Sequence, residues 1–394
     1  MAFEFIVEAL LARKQDKLWR KRHSLSPGIG PLIEVDGQHY LNFSSNDYLG
    51  FASSQTVAQA WVDGLSEYGS GSGASPLVTG FTQAHLELEA HLAKALKRER
   101  VLLFNSGFAA NQAICQALFA RNNNCGADLI IADKLIHASF VDGAQSCQAT
   151  FKRFKHNDTH HLNDIMARAS ASSNILIATE GVFSMDGDQA PVAELAQIAQ
   201  DHNAWLMVDD AHGFGVLGNS GLGVVEQHNL SQNQVPVLMA TFGKAIGTAG
   251  AFVAGSEQLI DYLINFGRHY IYSTSMPAAQ AHATLSSIKA NENPQKRRLL
   301  QTRIAQFKHL ADKANIPLMA SDTAIQPVIV GNAERALSIS EKLKQLGIWA
   351  TAIRYPTVPK GTDRLRITLS AMHEEQDISA LVDALQIAIS QTPK

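Results

Sequence analysis

Residues 205–213 read WLMVDDAHG, so that a short apolar run ends directly before Asp209 and His212. A second apolar run, VPVLMA, is followed by TFGKAIG at residues 241–247, which contains Lys244. Short apolar runs bounded by polar residues are typical of strands buried in a parallel sheet. These two segments therefore predict two strands whose ends carry an acid, a histidine and a lysine.

Further apolar runs of the same kind alternate with amphipathic stretches from about residue 95 to residue 255; they are VLLF, LIIA, ILIAT and AGAFVAG. This alternation predicts an α/β fold, a mostly parallel sheet with helices on both faces. Open parallel sheets bind ligands outside the carboxyl ends of their strands. Five predicted strand ends carry polar groups: Asn105 to Phe108, Asp133 with His137, Glu180 with Ser184, Asp209 with His212, and Thr241 with Lys244.

A lysine at a strand end can form a Schiff base with an aldehyde cofactor, provided that an acid at another strand end keeps the cofactor's ring nitrogen protonated. Lys244 and Asp209 match these two roles, and the cofactor that they predict is pyridoxal phosphate. A solvated loop position is the commoner interpretation of any single lysine. The order of Asp209, His212 and Lys244 at predicted strand ends favours the site.

Two glycine-containing segments are candidate anion sites. Ser106-Gly107-Phe108 joins a predicted strand to a predicted helix, where free N–H groups and the helix dipole favour a phosphate. The segment GSGSGASPLVTG, residues 69–80, is either a flexible loop or a backbone-lined loop for an anion or substrate, and composition alone leaves both open.

Composition excludes several classes of protein. The 394 residues are 46% hydrophobic and 18% charged, with a net charge of −3, as in a globular enzyme. This charge gives no global attraction to nucleic acid or to a membrane surface. No window approaches the roughly 20 apolar residues of a membrane helix, and we expect neither a membrane span nor a signal peptide. The basic cluster at residues 14–22 is interpreted as a solvated helix face rather than as a nucleic-acid patch.

The cysteines indicate the redox environment, and the change in sequence pattern along the chain indicates the domain boundaries. Three cysteines without metal-ligand spacing predict reduced thiols, a cytoplasmic location and no metal site. We expect an N-terminal helix and strand segment at 1–48, a large cofactor-binding domain at 49–285 and a small α+β domain at 286–394.

Over nearly its full length the chain resembles the α-oxoamine synthases, which belong to the fold-type I pyridoxal phosphate enzymes. The matching stretches are NFSSNDYLG, GSGSGASPLVTG, SGFAANQA, HAS, TEGVFSMDGDQAP, VDDAHGFGVLG, TFGKAIG, YSTSMPAA and AIRYPTVPKGTDRLRITL. The resemblance implies a large domain with a mostly parallel seven-stranded sheet, a smaller α+β C-terminal domain and a homodimer.

The resemblance also implies roles for individual residues. Lys244 would be the Schiff-base lysine, Asp209 the partner of the pyridine nitrogen, His137 the residue stacked on the ring and His212 the partner of the ring hydroxyl. Further cofactor contacts would come from Gly107, Phe108, Ser184 and Thr241, and from Ser273 and Thr274 of the neighbouring subunit. The amino-acid carboxylate would be bound by Asn46 and Arg366, with Arg364 or Arg354 able to share the task, and the acyl substrate by Arg20 and Thr357.

Among the branches of this family, the chain is most similar to the one that condenses L-alanine with a pimeloyl thioester, either pimeloyl-CoA or pimeloyl acyl carrier protein, in biotin biosynthesis. Another α-oxoamine synthase, such as glycine C-acetyltransferase, and a fold-type I aminotransferase are the alternatives. A nucleotide-binding module is disfavoured because no G-x-G-x-x-G opens the first strand–helix unit.

Two positions depart from the usual family pattern. Phe214 and Leu222 stand where the family commonly reads AHGTGV and GRG. Neither is a cofactor position, and we expect both to reshape the acyl channel.

Overall fold

The structure is a computed structural model that describes residues 2–16, 18–26, 28–120, 128–169 and 174–393. The strands in these residues are β1 (Leu32–Val35), β2 (Gln38–Asn42), β3 (Arg100–Phe104), β4 (Leu129–Asp133), β5 (Thr150–Phe154), β6 (Ile175–Glu180), β7 (Trp205–Asp209), β8 (Val237–Thr241), β9 (Ala251–Gly255), β10 (Ile325–Gly331), β11 (Ile348–Trp349), β12 (Thr351–Ile353) and β13 (Asp363–Thr368).

The α-helices are α1 (Phe5–Gln15), α2 (Gln55–Tyr68), α3 (Gln83–Leu96), α4 (Gly107–Leu118), α5 (Ala138–Ser146), α6 (Thr159–Met166), α7 (Val192–Asp201), α8 (Val224–Gln227), α9 (Glu257–Phe266), α10 (Arg268–Ile271), α11 (Ala278–Asn291), α12 (Gln295–Lys313), α13 (Ala333–Gln345) and α14 (Glu375–Ser390). One π-helix spans Pro76–Gly80.

Seven strands form the large sheet in the order β3-β9-β8-β7-β6-β4-β5. The neighbours from β8 to β5 pair in parallel, whereas β9 is antiparallel to both β3 and β8. The predicted α/β fold with a mostly parallel seven-stranded sheet is confirmed. Six of these strands coincide with the apolar runs of the sequence.

The seventh strand, β5, is not apparent as an apolar run. It lies at the edge of the sheet and exposes Lys152 and Arg153. Charged side chains on an edge strand discourage pairing with another chain. Because these charged residues interrupt the apolar pattern, a search for buried apolar runs does not find the strand.

Both faces of the large sheet are buried. Because consecutive side chains of a strand point to opposite faces, Leu176 and Ile177 enter different hydrophobic clusters. Met207 joins the cluster of Leu176, and Val208 joins that of Ile177. Full burial of one such aliphatic side chain contributes roughly 1.5–3 kcal/mol, so the sheet is a rigid support for its loops.

The carboxyl ends of four adjacent strands bring polar residues to one edge of the sheet. β4, β6, β7 and β8 end at Asp133, Glu180, Asp209 and Thr241, respectively. Glu180 and Asp209 are direct partners in the β6–β7 register. The loop after β8 then carries Lys244, so the fold concentrates the predicted site at this edge.

The C-terminal part of the chain forms a separate antiparallel sheet in the order β10-β13-β12. A third sheet joins the two ends of the chain, because β11 pairs in parallel with β2, and Ile348 lies opposite Leu41. The predicted boundaries of the segments 1–48, 49–285 and 286–394 stay a prediction.

The N-terminal helix α1 is exposed along its whole length. It ends at Gln15, so Arg20 to Arg22 follow the helix in an exposed segment without regular structure. The prediction of a helix face is therefore wrong for these arginines and Lys21, and Lys17 lies outside the described residues. Across the described ranges, no helix has the length and apolar character needed to cross a membrane.

Part of the glycine-rich segment 69–80 is closely packed. The carbonyl oxygen of Ala74 accepts a hydrogen bond from the backbone N of Ser275 at 3.0 Å. A Cβ atom on Gly80 would lie 2.2 Å from the same carbonyl oxygen. This end of the segment is therefore an ordered π-helix, packed at Gly80, rather than the flexible loop that its composition allows.

Candidate active site

Lys244 lies beside His212 at the carboxyl edge of the large sheet. Nζ of Lys244 is 2.7 Å from Nε2 of His212, and Nδ1 of His212 is 2.7 Å from the hydroxyl of Tyr48. The Tyr48 hydroxyl also donates to Oδ1 of Asn46 at 3.2 Å. A continuous polar path thus runs from the loop after β8 to the NDYLG motif.

The donors along this path assign the proton of His212. When Lys244 is an ammonium, its Nζ can only donate to Nε2 of His212, so the imidazole proton then lies on Nδ1 and faces the oxygen of Tyr48. Burial lowers the pKa of His212 well below its usual range, and the charges of Lys244 and Arg366 lower it further. His212 is therefore a neutral imidazole that accepts a hydrogen bond from the lysine.

The same surroundings change the ionisation of Lys244. Burial lowers the pKa of its ammonium to about 8, although Asp209 and Glu180 oppose the shift. An uncharged amine is the form that attacks carbonyl carbon or accepts a proton. Near pH 8, Lys244 is available in this form.

Two hydrogen bonds orient the carboxylate of Asp209. Oδ2 accepts from Nδ2 of Asn111 at 2.9 Å, and Oδ1 accepts from the backbone N of Ala211 at 3.1 Å. Nδ2 of Asn111 also donates to Oγ of Ser139 at 2.9 Å, and this hydroxyl is 2.7 Å from Nδ1 of His137. Asn111 and Ser139 therefore connect Asp209 with His137.

Glu180 adds a second buried carboxyl group beside Asp209. Burial and the charge of Asp209 raise the pKa of Glu180 well above its usual range, and Lys244 opposes the shift. Oε1 of Glu180 has no hydrogen-bond partner among the described residues. Two carboxyl groups thus lie side by side, and the repulsion between two negative charges disfavours the ionised form of Glu180.

The junction between β3 and α4 has the features of an anion site. Oγ of Ser106 accepts from the backbone N of Ala109 at 3.2 Å and caps α4. A Cβ atom on Gly107 would lie 2.8 Å from Cγ2 of Thr241, so the absence of a side chain permits this approach. The buried Oγ1 of Thr241 has no hydrogen-bond partner within the described part of the chain. The structure therefore brings Gly107, the exposed Phe108 and Thr241 together at a helix start, which favours negative charge.

Arg366 extends the network toward the C-terminal sheet. Its Nε donates to the carbonyl oxygen of Ser184 at 2.6 Å, and its Nη2 donates to Oδ1 of Asn46 at 3.2 Å. Arg364 instead forms a buried ion pair with Asp186 at 2.7 Å. Of these two arginines, Arg366 is the one that reaches the polar path from Lys244.

Four predicted residues lie outside the buried network. Arg20 and Thr357 are exposed, and within the described ranges no hydrogen bond connects them to Lys244. Ser273 is half-buried and Thr274 is exposed, and the carbonyl oxygen of Thr274 accepts from Nδ2 of Asn105 at 2.6 Å.

The two departures from the family pattern are packing residues. Phe214 is buried, and its ring meets that of Phe252 edge-on with centroids 5.0 Å apart. Leu222 packs against the same hydrophobic cluster. Phe214 is thus a core residue, Leu222 is partly buried at the margin of the core, and their role in an acyl channel stays a prediction.

Four residues of the network were not among the predicted site residues: Tyr48, Asn111, Ser139 and Glu180. Glu180 stands at a predicted strand end, and Tyr48 lies in the NDYLG motif. Asn111 is fully buried in helix α4, whose other buried residues are apolar. Such a polar residue at a core position is the signal that identifies it, because buried amides need hydrogen-bond partners.

The model of the aminotransferase class I and II family matches residues 38–385. The 8-amino-7-oxononanoate synthase of Aeromonas hydrophila is 48% identical over 378 residues, which cover 96% of this chain and 93% of that protein. The enzyme of the same name from Salmonella newport is 45% identical over 381 residues, which cover 96% of this chain and 97% of that protein. The chain belongs to the 8-amino-7-oxononanoate synthases of this family. The predicted family is thereby confirmed.

Solved structures of the same fold include an 8-amino-7-oxononanoate synthase from Francisella tularensis. It has a TM-score of 0.76 and 32% identity, covering 89% of this chain and 98% of that one. Serine palmitoyltransferase of Sphingomonas wittichii has a TM-score of 0.91 and 26% identity, and the match covers 99% of this chain and 98% of that one. Serine palmitoyltransferase of S. paucimobilis was solved with bound pyridoxal phosphate and myriocin. It has a TM-score of 0.90 and 26% identity, and the match covers 98% of this chain and 97% of that one. The predicted fold of the fold-type I transferases is therefore confirmed for this protein.

Proposed function

We propose that the protein is a pyridoxal phosphate enzyme that condenses L-alanine with a pimeloyl thioester. The products are 8-amino-7-oxononanoate, carbon dioxide and the free thiol carrier, and the reaction belongs to biotin biosynthesis. The observation that carries the proposal is the half-buried Lys244 amine at the same sheet edge as the oriented carboxylate of Asp209. The names of the relatives give the product, and alanine and the pimeloyl thioester are the substrates that the family resemblance implies.

The residues at this edge fit pyridoxal phosphate. Lys244 would bind the aldehyde carbon, and Asp209 would hold a proton on the ring nitrogen. The start of α4 and the unpaired Oγ1 of Thr241 would bind the phosphate. The ring would lie against His137, with His212 at its hydroxyl. When bound, the cofactor supplies an electron sink that stabilises negative charge at the amino acid's Cα.

Arg366 is suited to bind the carboxylate of alanine. Its planar guanidinium stays charged at any working pH and offers parallel donors. Its hydrogen bonds to the Ser184 carbonyl and to Asn46 fix its orientation before the substrate arrives.

Lys244 is suited to accept the proton from the alanine Cα. Its pKa of about 8 places the free amine near working pH, where a general base is most effective. His212, which accepts a hydrogen bond from Nζ, would hold the amine in a fixed position.

We assign the binding site of the thioester to the surface around Arg20 and Thr357. Both residues are exposed, as a site for a large carrier requires. The exposed Arg20, Lys21 and Arg22 suit a phosphate-bearing carrier, and both coenzyme A and acyl carrier protein carry phosphate.

We also infer a homodimer in the cytoplasm. Ser273 and Thr274 would complete the phosphate site of the partner subunit, as the resemblance implies. Cys115 and Cys147 are free thiols, in keeping with a reducing compartment.

Product analysis tests the proposal against its two rivals. Purified protein with pyridoxal phosphate is incubated with pimeloyl-CoA and with alanine, glycine or serine, and the product mass, free thiol and carbon dioxide are measured. Alanine-dependent release of equal amounts of thiol and carbon dioxide supports the proposal. A preference for glycine would identify another α-oxoamine synthase, and amino transfer to a keto acid without thiol release would identify an aminotransferase.

A further inference from the structure

His156 follows β5 at the same edge of the sheet and contacts two aspartates. Nδ1 of His156 is 3.0 Å from Oδ1 of Asp133, and Nε2 is 2.8 Å from Oδ2 of Asp188. Both ring nitrogens face carboxylate oxygens, which only accept hydrogen bonds. Each nitrogen therefore carries a proton, and His156 is an imidazolium cation between two anions.

The surroundings of His156 support this protonation state. Burial by itself would lower the pKa of His156, but hydrogen bonds to Asp133 and Asp188 and their charges more than offset burial and raise the pKa to about 10. The edge of the His156 ring also meets the ring of Phe183, with centroids 4.4 Å apart. The backbone N of Asn157 donates to Oδ2 of Asp133 at 2.8 Å, and its Nδ2 donates to Oδ2 of Asp188 at 2.8 Å.

Asp133 organises the turn that leads to His137. The carboxylate is fully buried, and Oδ1 accepts from the backbone N of Leu135 at 2.8 Å. The Asp133 carbonyl oxygen accepts from the backbone N of Ile136 at 3.1 Å. The next residue is His137, the candidate partner of the cofactor ring.

Asp188 organises the turn that contains Ser184. Its carbonyl oxygen accepts from the backbone N of Phe183 at 3.0 Å. Between these two residues lie Ser184, whose carbonyl oxygen binds Arg366, and Asp186, which pairs with Arg364. The turn therefore connects the large sheet with the arginines of β13.

We propose that His156 is a positioning residue, a cation that ties the turn after β4 to the turn after β6 and thereby places His137 and Ser184 around the cofactor. The inference rests on the proposed cofactor site and adds a residue that contacts neither cofactor nor substrate. A single cation is suited to this task because it bonds both anionic turns at once. Without this cation, the two carboxylates would lose the partner that they share. Asp133 would then stay buried without the cation that neutralises its charge.

The test compares His156→Gln and Asp188→Asn with His160→Gln. His160 is an exposed histidine on the adjoining helix α6 and serves as the matched control. Pyridoxal phosphate is titrated into the cofactor-free full-length protein, and its dissociation constant and induced circular dichroism are measured. We expect both test variants to bind the cofactor about 10- to 100-fold more weakly, by analogy with the loss seen when partners that orient metal ligands are removed. The circular dichroism band should be reduced per bound cofactor, and His160→Gln should match wild type.

A double variant guards against misfolding. Asp133→Asn with His156→Gln removes the buried carboxylate together with its cationic partner, and the amide keeps only one of the two acceptors that the backbone N atoms of Leu135 and Asn157 use. We expect this double variant to stay folded, to melt below wild type and to bind the cofactor weakly. If the folded variants bind the cofactor with wild-type affinity and circular dichroism and differ only in melting temperature, the positioning role is overturned. These readouts need neither alanine nor a thioester. A wild-type protein that binds the cofactor but makes no product would refute the proposed reaction and leave this test intact.

Discussion

Nζ of Lys244 lies 2.7 Å from Nε2 of His212, and the imidazole that accepts this hydrogen bond is neutral. A protonated His212 would place two cations in contact and would have no acceptor at Nε2 for the lysine. The neutral histidine therefore lets the buried lysine exchange its proton without creating a repulsive pair. This relationship makes the ionisation of Lys244 the first property to measure.

We predict that covalent attachment of pyridoxal phosphate to the cofactor-free protein accelerates as pH rises through about 8. The pKa of Lys244 is lowered from its ordinary value of 10.5 to about 8, mainly by burial. Only the uncharged amine attacks the aldehyde, and its fraction is one half at that pH and levels off at higher pH. Stopped-flow absorbance measures the rate. An inflection that appears only near 10.5 would show that burial does not perturb this lysine.

Lys244→Ala should abolish turnover and still bind the cofactor noncovalently. The substitution removes the amine but leaves the anion site at Gly107 and Thr241. Borohydride treatment should attach the cofactor permanently to wild-type protein and not to this variant, whereas the exposed-site control Lys313→Ala should behave as wild type. Peptide mapping that finds the reduced cofactor on another lysine would refute the assignment.

Asp209→Asn should retain cofactor and lose activity by about 100- to 1000-fold, the loss typical of a missing electrostatic partner. An amide carries no negative charge, so it no longer favours a protonated ring nitrogen. The turnover rate at saturating substrates is the measurement, with the exposed Asp201→Asn as control. Near-normal turnover in Asp209→Asn would exclude this role.

Arg366→Lys should raise the KM for alanine far more than the KM for the thioester. The planar guanidinium bonds the Ser184 carbonyl and Asn46 while it receives the substrate, and a lysine ammonium lacks this geometry. We expect a loss of about 2–5 kcal/mol in alanine binding, as for a truncated buried charge pair. Each substrate is titrated with the other saturating. Equal losses for both substrates would move Arg366 out of the amino-acid site and leave Arg354 as the candidate, to be tested as Arg354→Lys.

Gly107→Ala should weaken cofactor binding, because the new Cβ would lie 2.8 Å from Cγ2 of Thr241. Thr241→Ser removes that methyl group and keeps the hydroxyl, so the double variant should recover part of the lost affinity. Cofactor titration of the two single variants and the double variant measures the coupling between them. Strict additivity of the two losses would show that the close approach does not matter for the cofactor.

The sheet strands illustrate what can be predicted from local pattern. Buried runs such as ILIAT and WLMV appear as strands β6 and β7 because parallel strands covered on both faces must be apolar throughout. β5 escapes the same search because it lies at the edge of the sheet and exposes Lys152 and Arg153, so that its sequence contains no continuous apolar run. A prediction of helix also fails beyond Gln15, where basic residues continue but regular structure stops.

The sequence by itself determined the α/β class, the strand ends that carry Asp209, His212 and Lys244, and the family, because each of these depends on local pattern or on matched motifs. Only the tertiary structure decided which side chains touch. Tyr48 meets His212 across 164 residues of chain, and Asn111 meets Asp209 across 98. These contacts depend on the order of strands in the sheet and on the packing of helices against it. Hydrogen bonds form only at short range and in defined directions, and no spacing along the chain specifies them.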